Sequence, residues 1–213
     1  MQLITSLSIK NPEYFSKDRF ISYHHQLRLI SSLGSEVNNI LEIGIFNSLL
    51  TELLKLNGYN VTTADVDPNL NPDVILDLAA DFSLPKDKFD VIVLFQVLEH
   101  LPYEKSEYAL KKLAEITKKF LVISIPQNTL FLTIHFRSSY SVRSRHLFIN
   151  IPKFWLSNPL CDQHYWEMGL KGYSKQRILH SIAKVGLSVK QEFIDPTNPY
   201  HYFLVLEKNS AII

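Results

Sequence analysis

The chain has 213 residues, with 46% apolar and 20% charged side chains, a single cysteine and a formal net charge of +1. This length suits one domain with a substantial core and leaves little room for two, and the composition is that of a folded globular chain. Balanced charge gives no support for broad nucleic-acid binding. Cys161 alone can form neither an intrachain disulfide nor a Cys-based zinc site, and no apolar run approaches the roughly 20 residues that span a bilayer.

The first segment, Met1 to Lys10, lacks the basic start and small-residue cleavage site of a signal peptide. Together with the lone free thiol, that leads us to expect a cytoplasmic protein without membrane contact. Phe20, Tyr23, Leu27 and Ile30 recur at helical spacing and predict a helix over Phe20–Leu33 ahead of the first strand. Five apolar runs follow, Asn39–Ile43, Val61–Val66, Asp73–Leu78, Asp90–Gln96 and Phe120–Ile125. Each is nearly continuous in Val, Ile, Leu and Phe, as strands covered on both faces are in a parallel sheet.

Amphipathic stretches separate these runs. Leu50, Leu53 and Leu54 share a face after Ser48, a candidate helix start. From Tyr103 to Lys119, Leu110, Leu113 and Ile116 share another, with Lys111, Lys112 and Lys118 toward water and Pro102 near the first turn. Repeated strand–helix–strand units of this length imply right-handed crossovers and a doubly wound α/β sheet. Pro126 to Gly172 shows no clear period and is read as a cap or binding insertion. A helix over Ser174–Val185 ends at Gly186, and two last strands, Ser188–Ile194 and Tyr202–Glu207, are joined closely enough to be antiparallel. The expected layout is an N-terminal helical segment (1–38), a cofactor-binding core (39–126), a cap (127–172) and a closing helix and strand pair (173–213).

The chemistry concentrates at the strand ends. Ile40 to Gly44 is a buried strand running through Glu42 into a glycine, with a helix soon after. Open α/β sheets bind ligands at such turns, and glycine lets backbone approach closely, although a glycine can also serve the turn alone. Asp65 ends the second run roughly 20 residues later, the spacing at which a carboxylate accepts both hydrogen bonds of a ribose diol. A capping Asp in a βα loop is the plainer reading, but Asp67, ahead of Pro68, suits that role better.

With Asp77-Leu78, Leu84-Pro85, Phe89 to Val93 and Val97-Leu98-Glu99-His100-Leu101 added to Leu41-Glu42-Ile43-Gly44 and Asp65, the sequence resembles the class I S-adenosylmethionine-dependent methyltransferases. The motifs stand in that family's order over roughly the first two-thirds of the chain. The resemblance implies a doubly wound, seven-stranded, mostly parallel sheet with an antiparallel last strand, and S-adenosyl-L-methionine as cofactor. It places Glu42, Gly44, Ile45 and Phe46 against the methionine part, Asp65 and Val66 at the ribose, Asp77 and Leu78 near the adenine, and Phe95 and Gln96 along the pocket wall. One departure stands out. Phe46 and Ser48 occupy positions where the family carries further small residues. Those glycines serve a pyrophosphate in dinucleotide sites, so their loss argues against NAD more than against methyl transfer.

Methyl transfer from a sulfonium needs collinear donor and acceptor, and a general base only for a hydroxyl or protonated amine acceptor. His100, His164 and Glu167 are the candidate catalytic residues. In some relatives acting on phenolic hydroxyls an equivalent Glu-His pair supports acceptor activation or a metal, so the resemblance makes Glu99 and His100 candidates for that role. The alternative is that the pair only structures its loop. His164-Tyr165-Trp166-Glu167 is a dense polar and aromatic run that fits either a pocket wall or an aromatic plug. Arg137, Arg143, Arg145 and His146 read as solvated surface, with an anion site as the alternative, and His24 and His25 as structural or exposed. No histidine spacing marks a metal site. The sequence therefore predicts methyl transfer to a small-molecule acceptor, a sugar or polysaccharide intermediate among the options, with no nucleic-acid or membrane partner. The competing reading is a non-catalytic methyltransferase-like scaffold.

Overall fold

The computed structural model describes residues 16–139 and 141–209, with side chains at 141–144 left out. Met1–Lys10 lies outside them, as does the side chain of Arg143. A seven-stranded sheet forms the centre. Its strands are β1 (Asn39–Ile43), β2 (Asn60–Asp65), β3 (Val74–Ile75), β4 (Val91–Phe95), β5 (Phe120–Pro126), β8 (Leu187–Asp195) and β9 (Asn198–Lys208). They lie in the order β3-β2-β1-β4-β5-β9-β8. The first five are parallel, and β9 runs antiparallel to both β5 and β8.

The continuous apolar runs are explained by burial on both faces. Leu41, Ile92, Leu94, Leu121 and Ile123 enter one core with helices α3 (Tyr103–Ile116) and α4 (Lys175–Lys184). Ile40, Val91, Val93, Phe120 and Val122 enter the opposite core with α1 (Lys17–Ser31) and α2 (Leu49–Leu56). In α3, Leu110, Leu113 and Ile116 are buried as the spacing predicts, and the helix stops before Lys119 because Thr117 turns extended and its hydroxyl bonds the Phe120 carbonyl. Among the described residues, no helix is long and apolar enough to cross a membrane.

Four local expectations change. α1 buries Ser22, Gln26, Leu29 and Ile30, while Phe20 is 50% exposed. Gln26 donates to Ser22 Oγ at 3.0 Å, so two polar residues can lie inward, and the helix rotates away from the face that Phe20 marks. Ser48 precedes α2 in left-handed backbone and makes no capping bond. The amide of Leu49 instead reaches Asn47 Oδ1 at 3.2 Å, and Asn47 is in turn held by the Tyr23 hydroxyl. β3 is only two residues long, since Asp73 bonds the backbone and hydroxyl of Thr63 at 2.8 Å and Asp77 caps its own turn at Ala79.

The fourth change is the insertion. It opens with a second, two-stranded sheet, β6 (Thr129–Ser138) against β7 (Ser141–Pro152). Directly opposed residues of an antiparallel pair share a face. Leu130 with Ile151, Leu132 with Ile149, and Ile134 with Leu147 thus form one apolar face, and all six are 40–53% exposed. The other face carries Thr133, whose hydroxyl donates to the Pro196 carbonyl at 2.6 Å and fixes the hairpin over the β8–β9 turn. Arg137, Arg145 and His146 are exposed, His146 on the Thr133 face and Arg145 opposite Phe136 on the apolar one.

Candidate active site

The sequence-marked residues gather beyond the carboxyl ends of β1, β2 and β4, where open α/β sheets hold their ligands. Gly44 closes β1 with φ of +84°, a backbone region natural to glycine. A Cβ there would stand 2.4 Å from Val97 Cγ2, so the turn after β1 packs directly on the loop after β4. Phe46 and Ser48 also take positive φ, 36° and 55°. The chain therefore keeps the tight turn although it lacks the glycines that would relax it.

Asp65, at the end of β2, spans the gap to that turn. Its Oδ2 accepts the amide of Ile45 and its Oδ1 the amide of Asp67, each at 2.9 Å. Each oxygen keeps a further lone pair for an incoming hydroxyl. Asp67 takes the expected capping role, accepting from Asn69 at 2.9 Å. Glu42 is buried and turned toward α2, where Thr51 donates to it at 2.6 Å, and burial pushes its carboxyl up to about 7. It thus braces the β1 turn from below. Val66 and Phe95 are half-buried, Leu78 is buried and Asp77 exposed. Gln96, with φ of +57°, is pinned to β5 through the Ser124 carbonyl and hydroxyl.

The insertion returns to this edge at His164. A short 3-10 turn over Leu98–His100 follows β4, and the Glu99 carbonyl accepts the amide of Tyr165 at 2.8 Å. That bond brings the imidazoles of His100 and His164 to 4.8 Å between centroids, edge to face. Glu167 is fully buried and accepts from His164 Nδ1 at 2.8 Å, Asn128 Nδ2 at 2.9 Å and the Leu160 amide at 3.1 Å. Burial works to raise its carboxyl, but these donors outweigh it and hold it below the usual range. His100 is pushed down by burial and by the neighbouring His164.

The sequence brings His100, His164 and Glu167 together as candidates, and the fold places all three in one cluster. It splits the aromatic run between them. Trp166 is 2% exposed, donates to Ser106 Oγ and stands edge to face with Tyr103, whereas Tyr165 is 57% exposed. Trp166 is the plug, and His164 and Glu167 are paired with each other beside His100. His25 is structural, meeting Asp195 at 2.5 Å. The sequence marks Glu99 only as the partner of His100, and its fully buried carboxylate is unlike its neighbours. Neither oxygen has a hydrogen-bond partner, and burial raises it to about 8. Only the adjacency of an acid to His100 hinted at this.

The sequence profile of a methyltransferase domain family matches residues 15–171. The chain belongs to this family. Solved structures agree on the fold of the methyltransferase. The magnesium protoporphyrin IX methyltransferase of Synechocystis PCC 6803 with bound S-adenosylhomocysteine superposes with a TM-score of 0.62 at 16% identity, covering 90% of this chain and 84% of that one. The N-methyltransferase NodS of Bradyrhizobium japonicum WM9, with the same product bound, gives 0.61 at 15% identity, covering 92% and 89%. The small RNA methyltransferase HEN1 gives 0.61 at 11% identity, covering 92% of this chain and 26% of that one. No curated protein matches the chain significantly. The methyltransferase is an S-adenosylmethionine-dependent enzyme with the seven-stranded sheet its sequence predicts.

Proposed function

We propose that the enzyme transfers the methyl group of S-adenosylmethionine to a small-molecule acceptor, a sugar or polysaccharide intermediate among the candidates, held between the sheet edge and the insertion. The observation that carries this reading is Asp65. Its carboxylate is fixed by two backbone amides in front of the β1 turn with lone pairs to spare for a ribose diol. Gly44, Ile45 and Phe46 then line the methionine side, with Glu42 bracing them, Asp65 and Val66 take the ribose, Asp77 and Leu78 the adenine, and Phe95 and Gln96 the wall. Residues 127–172 serve as the cap.

The chemistry asked of the protein is modest. The acceptor's oxygen or nitrogen attacks the methyl carbon as the carbon–sulfur bond breaks, and sulfur keeps the electron pair. Positioning supplies much of the acceleration. His100 and His164 stand where an acceptor would lose its proton, and Glu167 orients His164 by holding its Nδ1–H. Asp65 anchored in this way and a complete fourth-strand motif favour this reading over a scaffold without activity.

Calorimetric titration with S-adenosylmethionine and S-adenosylhomocysteine tests the cofactor site, with Asp65→Ala beside the wild type. Binding to the wild type that is lost in the variant is the expected result. Wild-type protein that binds neither molecule would leave the scaffold reading in its place. A panel of sugar and metabolite acceptors, read by a methyl mass increment, then tests the acceptor class.

A further inference from the structure

Glu99, His100 and His164 each offer a ligand atom, and the three atoms lie within 4.8 Å of one another. We infer that they form a binding site for one divalent transition-metal ion, with Glu167 and the Gln163 carbonyl as its outer shell.

Four features carry this. First, both oxygens of Glu99 are buried without a donor. A buried carboxylate is costly unless something pairs with it, and every other acid in the cluster is fully engaged. Second, both histidines have the same nitrogen committed. His100 Nδ1 faces the Gln163 carbonyl at 3.3 Å and His164 Nδ1 faces Glu167 at 2.8 Å. Both partners only accept, so each Nδ1 carries the proton and each Nε2 keeps its lone pair. Metal-ligating histidines are held in this manner by a carboxylate or backbone carbonyl behind the ring. Third, Glu167 is itself locked by Asn128 and the Leu160 amide, so the support is rigid. Fourth, a set of two imidazoles and one carboxylate suits Zn²⁺, Co²⁺, Mn²⁺ or Fe²⁺ better than the all-oxygen preferences of Mg²⁺ or Ca²⁺.

Ligand bonds of about 2.0–2.2 Å require the three atoms to draw somewhat closer than 4.8 Å. The groups that must move are side-chain ends on a 3-10 turn and a loop joined by the Tyr165–Glu99 and His100–Gln163 hydrogen bonds. Three protein ligands leave at least one coordination position open, as in metal sites that act on substrates. The site stands independently of the cofactor. Only its use rests on the methyl-transfer reading: with both Nε2 lone pairs on the ion, the ion in place of the histidines would favour ionisation of an acceptor hydroxyl bound beside it.

The test is titration of EDTA-treated full-length protein with Zn²⁺ alone, and with Co²⁺ to read the ligand field by absorption. S-adenosylhomocysteine binding is measured on the same samples. We expect one equivalent of Zn²⁺ to bind, with affinity reduced about 10–100-fold in Glu167→Gln, the range for outer-shell changes. Glu99→Gln and His164→Ala should lose more than that, with cofactor affinity near wild type in both and melting temperature near wild type in Glu99→Gln. His135→Ala/His146→Ala, which removes the stacked histidine pair of the hairpin, should leave binding intact. Wild-type protein that takes up no Zn²⁺ or Co²⁺, or uptake unaffected by Glu99→Gln and His164→Ala, would overturn the proposal. Cofactor binding without metal uptake would overturn the metal site alone, while metal uptake without cofactor binding would overturn the methyl-transfer reading alone.

Discussion

Replacing Gly44 by alanine tests whether the β1 turn and the β4 loop are held in contact. Two penalties apply. Left-handed backbone costs a non-glycine residue about 1–2 kcal/mol, and at φ of +84° Gly44 lies in that region. The new Cβ would also meet Val97 Cγ2 at 2.4 Å, closer than real contacts allow. Overpacking of this kind costs about 1–3 kcal/mol. Gly44→Ala should therefore lose about 2–5 kcal/mol of unfolding free energy in urea, and cofactor affinity with it. Val97→Ala removes the obstructing methyl groups but leaves φ unchanged. The double variant should recover about 1–3 kcal/mol relative to additivity, the overpacking share of the loss. A double-mutant cycle that closes additively would refute the contact argument and leave backbone strain as the whole effect.

Two buried acids should move stability with pH in opposite directions. Glu42 is raised in the fold to about 7, first by burial, so its contribution is complete below pH 4.5 and is lost as pH rises through about 7. Glu42→Gln should accordingly stabilise the protein at pH 8 by about 2–3 kcal/mol and flatten that part of the profile. Asp90 is held down to about 2: burial opposes this, but the amides of Asn39 and Asn38 and Lys118 win. Its share of about 2 kcal/mol is present above pH 3.8 and disappears as pH falls through about 2, so Asp90→Asn should abolish the acid limb of urea melts recorded between those values. On the hairpin, Leu132→Ser and Ile149→Ser should shift stability by no more than about 0.5 kcal/mol, because both side chains are already near half-exposed. A melting loss comparable to a core truncation would show that this face is covered.

The sheet was legible because burial on both faces writes an unbroken apolar run, and β1, β4 and β5 differ from their predicted bounds by a residue at most. Asp65 was legible for the same reason, since a strand end and a glycine turn fix its place. The hairpin was not. Leu130, Leu132 and Ile134 do recur at every second position, as do Leu147, Ile149 and Ile151, but they form the exposed side, and Phe131 and Phe148 blur the alternation with apolar residues on the other. Nor could the sequence show that His164 returns to His100. Their meeting depends on the bond between Tyr165 and the Glu99 carbonyl, a backbone contact with no residue signature. The unpartnered oxygens of Glu99 follow from packing alone.

The insertion leaves and rejoins the sheet at nearly one point. Gln127 bridges Met168, the Asn128 amide bonds the Met168 carbonyl, and the Met168 amide bonds the Pro126 carbonyl. With its ends stapled together, the segment between can lengthen, shorten or be exchanged at little entropic penalty to the sheet. Asp65 and the β1 turn lie on the other side of that staple. Under the function proposed above, a lineage could thus keep the methyl donor's seat fixed while trading one acceptor-facing module for another, and grafting experiments between relatives should cut at 126 and 168.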